Sequence, residues 1–433
     1  LEKIFEEIVH IMNNDYAGWK DKKGRDNPKY FLQKIRELQD EDLLSKEVFK
    51  DIVEDYLLDF NDLHIHFNVA GLQKEKLEVR GFRVRCFEDR LYVTHVDSES
   101  QLEPGMCFVS LGGRSIPELR ERHHRLFNEN HAERENWTPI LSLYDEGEVE
   151  NSEGIRQAIS LAYYEKKPYK PTYSVQQLTG DAILITMTDF ADPDAIAKMI
   201  TENQATLDST EKWVIDVRVN YGGSDSSYYP LLPYLMPEEG AELADKDEKM
   251  FINCTVASAN RILEELENQL GNTEDEQAQL FLKIFQREWI ENKGRGFVEF
   301  DFSDIMPDTF IKGRSNPESI VVLADFMCGS SGDSFVETVK KSNKVKVIGR
   351  ATMGLNDYAN LATQKWDEGF EFMYPTSRLS RLDTGRGMTG IGIEPHLYIP
   401  WTPEHLNVDV DMKCALGVLS STSILVSEFA NQD

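Results

Sequence analysis

At 433 residues the chain is long enough for two or three domains and a large core, and its 40% hydrophobic content without low-complexity tracts is that of a soluble globular protein. A formal net charge of -29, from 47 Lys and Arg against 76 Asp and Glu, argues against nucleic-acid binding, which needs clustered cations. No apolar run approaches membrane-spanning length, and five scattered cysteines without a CxxC pair support neither a disulfide framework nor a cysteine-rich zinc site. The chain opens on Leu1-Glu-Lys-Ile, with no basic and apolar secretory signal. The expectation is a cytoplasmic protein, or an extracytoplasmic one if an upstream signal has been removed.

Residues 1 to about 60 carry helical periodicity. Ile4, Ile8 and Ile11 share one face, Asn27-Pro28 opens a second helix through Ile35, and a third runs from Ser45 to Leu58. A small helical domain over 1–70 is expected. Phe60-Asn-Asp-Leu-His-Ile-His-Phe67 follows, and alternation about Ile65 predicts a strand with His64 and His66 on one face. Such a pair serves as surface or hydrogen-bonded structural histidines, as an H-x-H metal site, or as the source of one general base. No further cluster at ligand spacing supports the metal.

From 71 to 170 the pattern is β-rich. Strands are expected over 77–85, 90–96 and 106–111, with turns at Leu102-Glu-Pro-Gly105 and Gly112-Gly113, then a helix from Ile116-Pro117. Two strands, the stretch at 104–116 and a helix resemble a PDZ module, the fold that adds a peptide strand to its sheet edge. A plain β-subdomain fits the same pattern.

After the Pro-containing linker at 167–171, strands alternate with helices: Ala182 to Met187, a helix from Pro193 to Gln204, then Trp213 to Val217 leading into Gly222-Gly223. This indicates an α/β core over 171–433 with much parallel sheet. Adjacent glycines after a strand let backbone N–H groups approach a bound group, and an oxyanion loop suits the sequence better than a phosphate loop. Residues from about 240 to 315 read as a helical insertion, with one long amphipathic stretch from Val256 to Phe285.

The run Val321 to Ala324 is of strand length, Cys328-Gly-Ser-Ser-Gly-Asp333 is a turn, and Phe335, Val336 and Val339 fall on one helical face. A serine at such a bend is commonly an N-cap. It is also where a nucleophilic hydroxyl finds free N–H groups and a helix dipole to hold an anion. Counted from Gly329, the stretch is not a G-x-S-x-G elbow.

Taken in order, Asp62-Leu-His64, the PDZ-like stretch, 214–223, 328–335, 349–354 and 390–395 resemble the C-terminal processing (tail-specific) serine peptidases and their tricorn-like relatives. The resemblance implies a crotonase-like α/β core bearing a PDZ-like domain, hydrolysis of peptide bonds in a peptide or protein substrate, and no metal or other cofactor. Carried over by position, Ser330 is the nucleophile, and the N–H of Ser331 with that of Gly222 or Gly223 forms the oxyanion hole.

The tail-specific branch takes its base from a Lys in a segment like TxGKG. Here Thr352-Met-Gly-Leu-Asn356 lacks it. The tricorn-like branch uses an early His, which maps to His64, oriented through a Ser–Glu pair. Leu63 precedes His64 in this chain, and the acidic position before Gly392-Ile-Glu-Pro395 falls at Thr389. Asp383, Glu394 and Asp357 are candidate substitutes. A base without an orienting group has a poorly fixed tautomer. Two readings therefore stand: a serine peptidase using Ser330 and His64, and a catalytically impaired peptide-binding protein on the same fold.

Overall fold

A computed structural model of the chain describes residues 1–69, 78–127, 129, 131–178, 181–245, 247–272, 276–304 and 309–420. The expected domain boundary at 70/71, and Leu77 at the head of an expected strand, lie outside those residues. The chain divides into two compact units. One is built from Leu1–Glu75, Asp245–Thr309 and Leu355–Thr389, the other from Lys76–Ala244, Phe310–Gly354 and Gly390–Asp433. The central part of the expected insertion thus folds with the N-terminal residues.

In the first unit the three expected helices are present as Glu2–His10, Pro28–Asp40 and Lys46–Leu57. Pro28 sits in the first turn of its helix, where no amide is needed. Ser45 caps the third by accepting from the Val48 amide. Their apolar faces meet an antiparallel sheet of His66–Val69, Tyr358–Lys365, Phe370–Leu379, Met250–Cys254 and Gly296–Val298. Ile8, Phe49, Tyr56, Phe67, Phe370 and Trp289 share the resulting core. The long helical stretch is two helices, Val256–Asn272 and Glu276–Asn292, and the residues between them are outside the description.

Among the described residues the second unit holds two six-stranded sheets and three two-stranded ones. Phe82–Phe87, Arg90–Val96, Cys107–Leu111, Glu146–Glu150 and Arg156–Ser160 pair antiparallel around their own core of Phe108, Leu111, Ile116, Leu119 and Trp137. The helix Ile116–Arg122 begins where Glu118 accepts from the Ser115 amide.

The other six-stranded sheet runs Tyr173–Gln177, Ala182–Met187, Lys212–Asp216, Ser319–Ala324, Val345–Gly349 and Leu397–Tyr398, parallel except at its first edge strand. Its central strands are apolar on both faces. Ile183, Ile215, Val322 and Val347 meet the helices Pro193–Glu202 and Ser331–Val339, while Val214, Val321, Leu323 and Ile348 meet Ala415 and Leu419 of Val410–Ser420. A parallel sheet covered on both sides needs such uninterrupted apolar runs, and that is why these strands were legible. Among the described residues no helix is long and apolar enough to cross a membrane.

Candidate active site

In the second unit the chain leaves Ser319–Ala324 at its C-terminal end, forms a short strand at Met327–Cys328, and turns into the helix Ser331–Val339. Ser330 occupies the bend with φ 59° and ψ -119°. A positive φ in a non-glycine residue is strained and survives only where its surroundings over-determine it. Here Asp333, fully buried, accepts from the Ser330 amide at 2.8 Å through Oδ2 and from the Gly354 amide at 2.8 Å through Oδ1. The turn is an elbow in conformation although it lacks the first motif glycine. Counted from the serine, the position two residues on is Gly332, where a Cβ would come within 2.7 Å of the Cys328 sulfur. The position two residues before is Cys328 itself, buried under the turn.

The second wall is the glycine loop. Val219–Asn220 pairs with Met327–Cys328, which brings Gly222 against the serine. A Cβ on Gly222 would lie 2.7 Å from Ser330 Cβ and 3.2 Å from its Oγ, so a side chain there displaces the hydroxyl. On Gly223, with φ 141°, a Cβ would fall 2.2 Å from the Phe190 backbone. The Ser331 hydroxyl donates to the Gly223 carbonyl at 2.9 Å and ties the loop to the head of the helix. Neither the Gly223 nor the Ser331 N–H has an acceptor among the described residues. Gly222 is different: its N–H donates to Asn220 Oδ1 at 3.0 Å. Its missing side chain leaves room for the Ser330 hydroxyl.

His64 belongs to the first unit. The expected strand begins only at His66, because Asp62 Oδ1 accepts from the His64 amide at 2.9 Å and holds residues 62–64 in a turn. His64 Nδ1 lies 2.7 Å from the Tyr358 carbonyl oxygen. A carbonyl only accepts, so Nδ1 carries the proton and Nε2 of the neutral ring is left as the basic nitrogen. Asp62 is itself fixed, since Tyr16 donates its hydroxyl to Oδ2 at 2.6 Å and the Lys22 ammonium stands 3.8 Å away. Burial pulls the Lys22 pKa below its ordinary value, partly offset by the Asp62 charge.

Two of the expected orienting carboxylates have other partners. Asp383 pairs with Arg378, and Asp357 accepts from the Met388 and Thr389 amides and the Thr389 hydroxyl. No hydrogen bond joins Thr389, Asp383 or Asp357 to the His64 ring among the described residues. Glu394, in the other unit, accepts from Lys340 through its backbone carbonyl. The His64 ring nitrogen thus meets a main-chain oxygen, which no side-chain pattern announces. Asp333 did carry a signal, a capping-box spacing from Ser330, and Asn220-Tyr-Gly222 has the spacing of an Asx turn. No group of three or more His, Cys, Asp or Glu side chains gathers as metal ligands among the described residues.

The family model for peptidase family S41 matches residues 181–399, and the chain belongs to that family. This bears out the resemblance to the C-terminal processing and tricorn-like serine peptidases. A curated protein of Chlamydia trachomatis serovar D is 26% identical over 290 residues, which is 61% of this chain and 45% of that protein. The chain therefore spans about half the length of that relative. Among solved structures, mature CPAF complexed with lactacystin aligns with a TM-score of 0.67 at 15% identity, over 96% of this chain and 97% of its own. Mature CPAF alone gives 0.64 at 15% identity, over 96% and 95%. At such identity the likeness is one of fold.

Proposed function

We propose that the chain is a serine peptidase that hydrolyses peptide bonds in peptide or protein substrates through an acyl-enzyme on Ser330. In this reading the parallel sheet and its helices are a crotonase-like core, the antiparallel sheet within 71–170 is a PDZ-like domain, and 1–70 is a helical domain. His64 Nε2 takes the Ser330 hydroxyl proton as Oγ attacks the scissile carbonyl. The resulting oxyanion is held by the Gly223 and Ser331 N–H groups at the N-terminus of a nine-residue helix, where the dipole adds to the two donors. Collapse expels the amine, which leaves with the proton from His64. Water then repeats the sequence and frees Ser330.

The observation that carries the proposal is the strained Ser330 bend beside two amides with no acceptor among the described residues. Strain of this kind is retained where it serves a function. A fixed tautomer at His64 favours a competent base over the impaired, binding-only reading.

The test is labelling by a fluorophosphonate probe. Wild-type protein is expected to be labelled at Ser330, with labelling lost in Ser330→Ala and strongly slowed in His64→Ala. Labelling that persists in Ser330→Ala overturns the assignment. No labelling of folded wild-type protein that still binds peptide restores the impaired reading.

A further inference from the structure

The strain at Ser330 needs an anchor, and the contacts around Asp333 show where the anchor leads. Asp333 Oδ1 is held by the Gly354 amide. The three residues before Gly354 turn their carbonyls onto one side chain. Arg134 Nη1 donates to Ala351 at 3.2 Å and to Thr352 at 2.6 Å, and its Nη2 donates to Met353 at 2.9 Å. The opposite edge of the same segment faces the elbow, since the Met353 amide donates to the Cys328 carbonyl at 2.7 Å. Residues 351–354 are therefore a spacer, with the Met353 and Gly354 amides on the turn, the Thr352 amide on the Ile393 carbonyl, and the 351–353 carbonyls on a guanidinium.

Arg134 is 7% exposed and lies in the short turn Ala132–Arg134, far from the turn in sequence and outside the family match at 181–399. Its own orientation is set by Glu129, which accepts from Nε at 2.9 Å and from Nη2 at 3.3 Å. Adjacent residues join it to the β-rich part of the unit: Glu135 accepts from Arg120 and from the Trp137 indole. A planar fork held on its Nε side by a carboxylate can span three carbonyls, a geometry a lysine cannot reproduce.

We propose that Arg134 is a positioning residue for the reaction. It fixes residues 351–353 so that the Gly354 amide holds Asp333 and Asp333 holds the Ser330 amide in its positive-φ bend. The inference rests on the reading of Ser330 as nucleophile. Loss of Arg134 leaves the spacer held on that side only by the Thr352–Ile393 bonds, and Ser330 relaxes toward an ordinary backbone conformation, carrying Oγ away from the Gly223 and Ser331 amides. Misplacement of this order costs about 100-fold in rate, even from a residue remote from the chemistry.

The test uses the full chain with Arg134→Gln and Arg134→Lys. At saturating fluorophosphonate, the labelling rate constant of folded protein is expected to drop about 100-fold in Arg134→Gln and by an intermediate factor in Arg134→Lys, with half-saturation changed less than about twofold. A merely structural arginine lowers the amount of folded protein and leaves that rate constant unchanged, which would overturn the proposal. Amide hydrogen exchange at Ser330 and Gly354 is read on the same variants without reference to activity, and faster exchange at both is expected. If wild-type protein is not labelled at Ser330, the nucleophile reading fails by itself. Unaltered exchange at both amides would then overturn the Arg134 linkage independently.

Discussion

At the scale of single residues, the candidate site depends on what is missing at Gly222 as much as on what Ser330 offers. A side chain at 222 meets Ser330 Cβ at 2.7 Å and must also adopt φ 73°. Gly222→Ala is expected to cut the labelling rate by about 100-fold or more, because both oxygen and backbone must shift. Gly154→Ala separates the two causes: φ there is 78°, but nothing lies within 4 Å of the added methyl. It carries a similar backbone penalty and is expected to leave the labelling rate unchanged. Equal losses in the two variants would mean that global strain, not displacement of the hydroxyl, explains the effect. Ser330 was legible in the sequence because a strand-length apolar run, small turn residues and a helical face follow one another. Its sign of φ was not, since serine, unlike glycine or asparagine, gives no signal of a left-handed backbone.

Among elements, the pattern of burial decided what could be read. Helices in the first unit and strands of the parallel sheet have repeating apolar positions, and they appear within a residue or two of their expected places. The segment around His64 misled because alternation over four residues fits a strand equally well, while a local Asp62-to-amide bond wins the backbone. The buried ion pairs that join the antiparallel sheet to the parallel one had no sequence signature at all. Arg85, from Phe82–Phe87, makes a double contact with Asp325 just beyond Ser319–Ala324, and Arg350 bridges Asp325 to Asp411.

Burial raises the Asp325 pKa, but the Arg85 and Arg350 charges outweigh it and hold the carboxyl well below the usual carboxylate range. A pKa lowered by folding stabilises the native state fully above the unfolded value of about 3.9, and that stabilisation is lost as pH falls toward the folded value. Asp325→Asn is expected to cost roughly 3–5 kcal/mol at neutral pH by stranding buried guanidiniums. In denaturant titrations the deficit relative to wild type should shrink below about pH 4. A deficit that stays constant down to pH 3 would show that packing, not charge, sets the cost.

For the whole molecule, the chain's two candidate catalytic side chains are carried by different compact units, with His64 on one and Ser330 on the other. The family match at 181–399 covers Ser330 and the Gly222–Gly223 loop but not His64. The union of the two is thus the central claim, and it is tested most directly by a mutant cycle on peptide hydrolysis. The kcat/KM of Ser330→Ala, His64→Ala and the double variant are measured against wild type under one set of conditions. Groups that act as a unit are non-additive, so the double variant is predicted to be no slower than the worse single one. Losses that multiply in the double variant would contradict a joint role for these two residues.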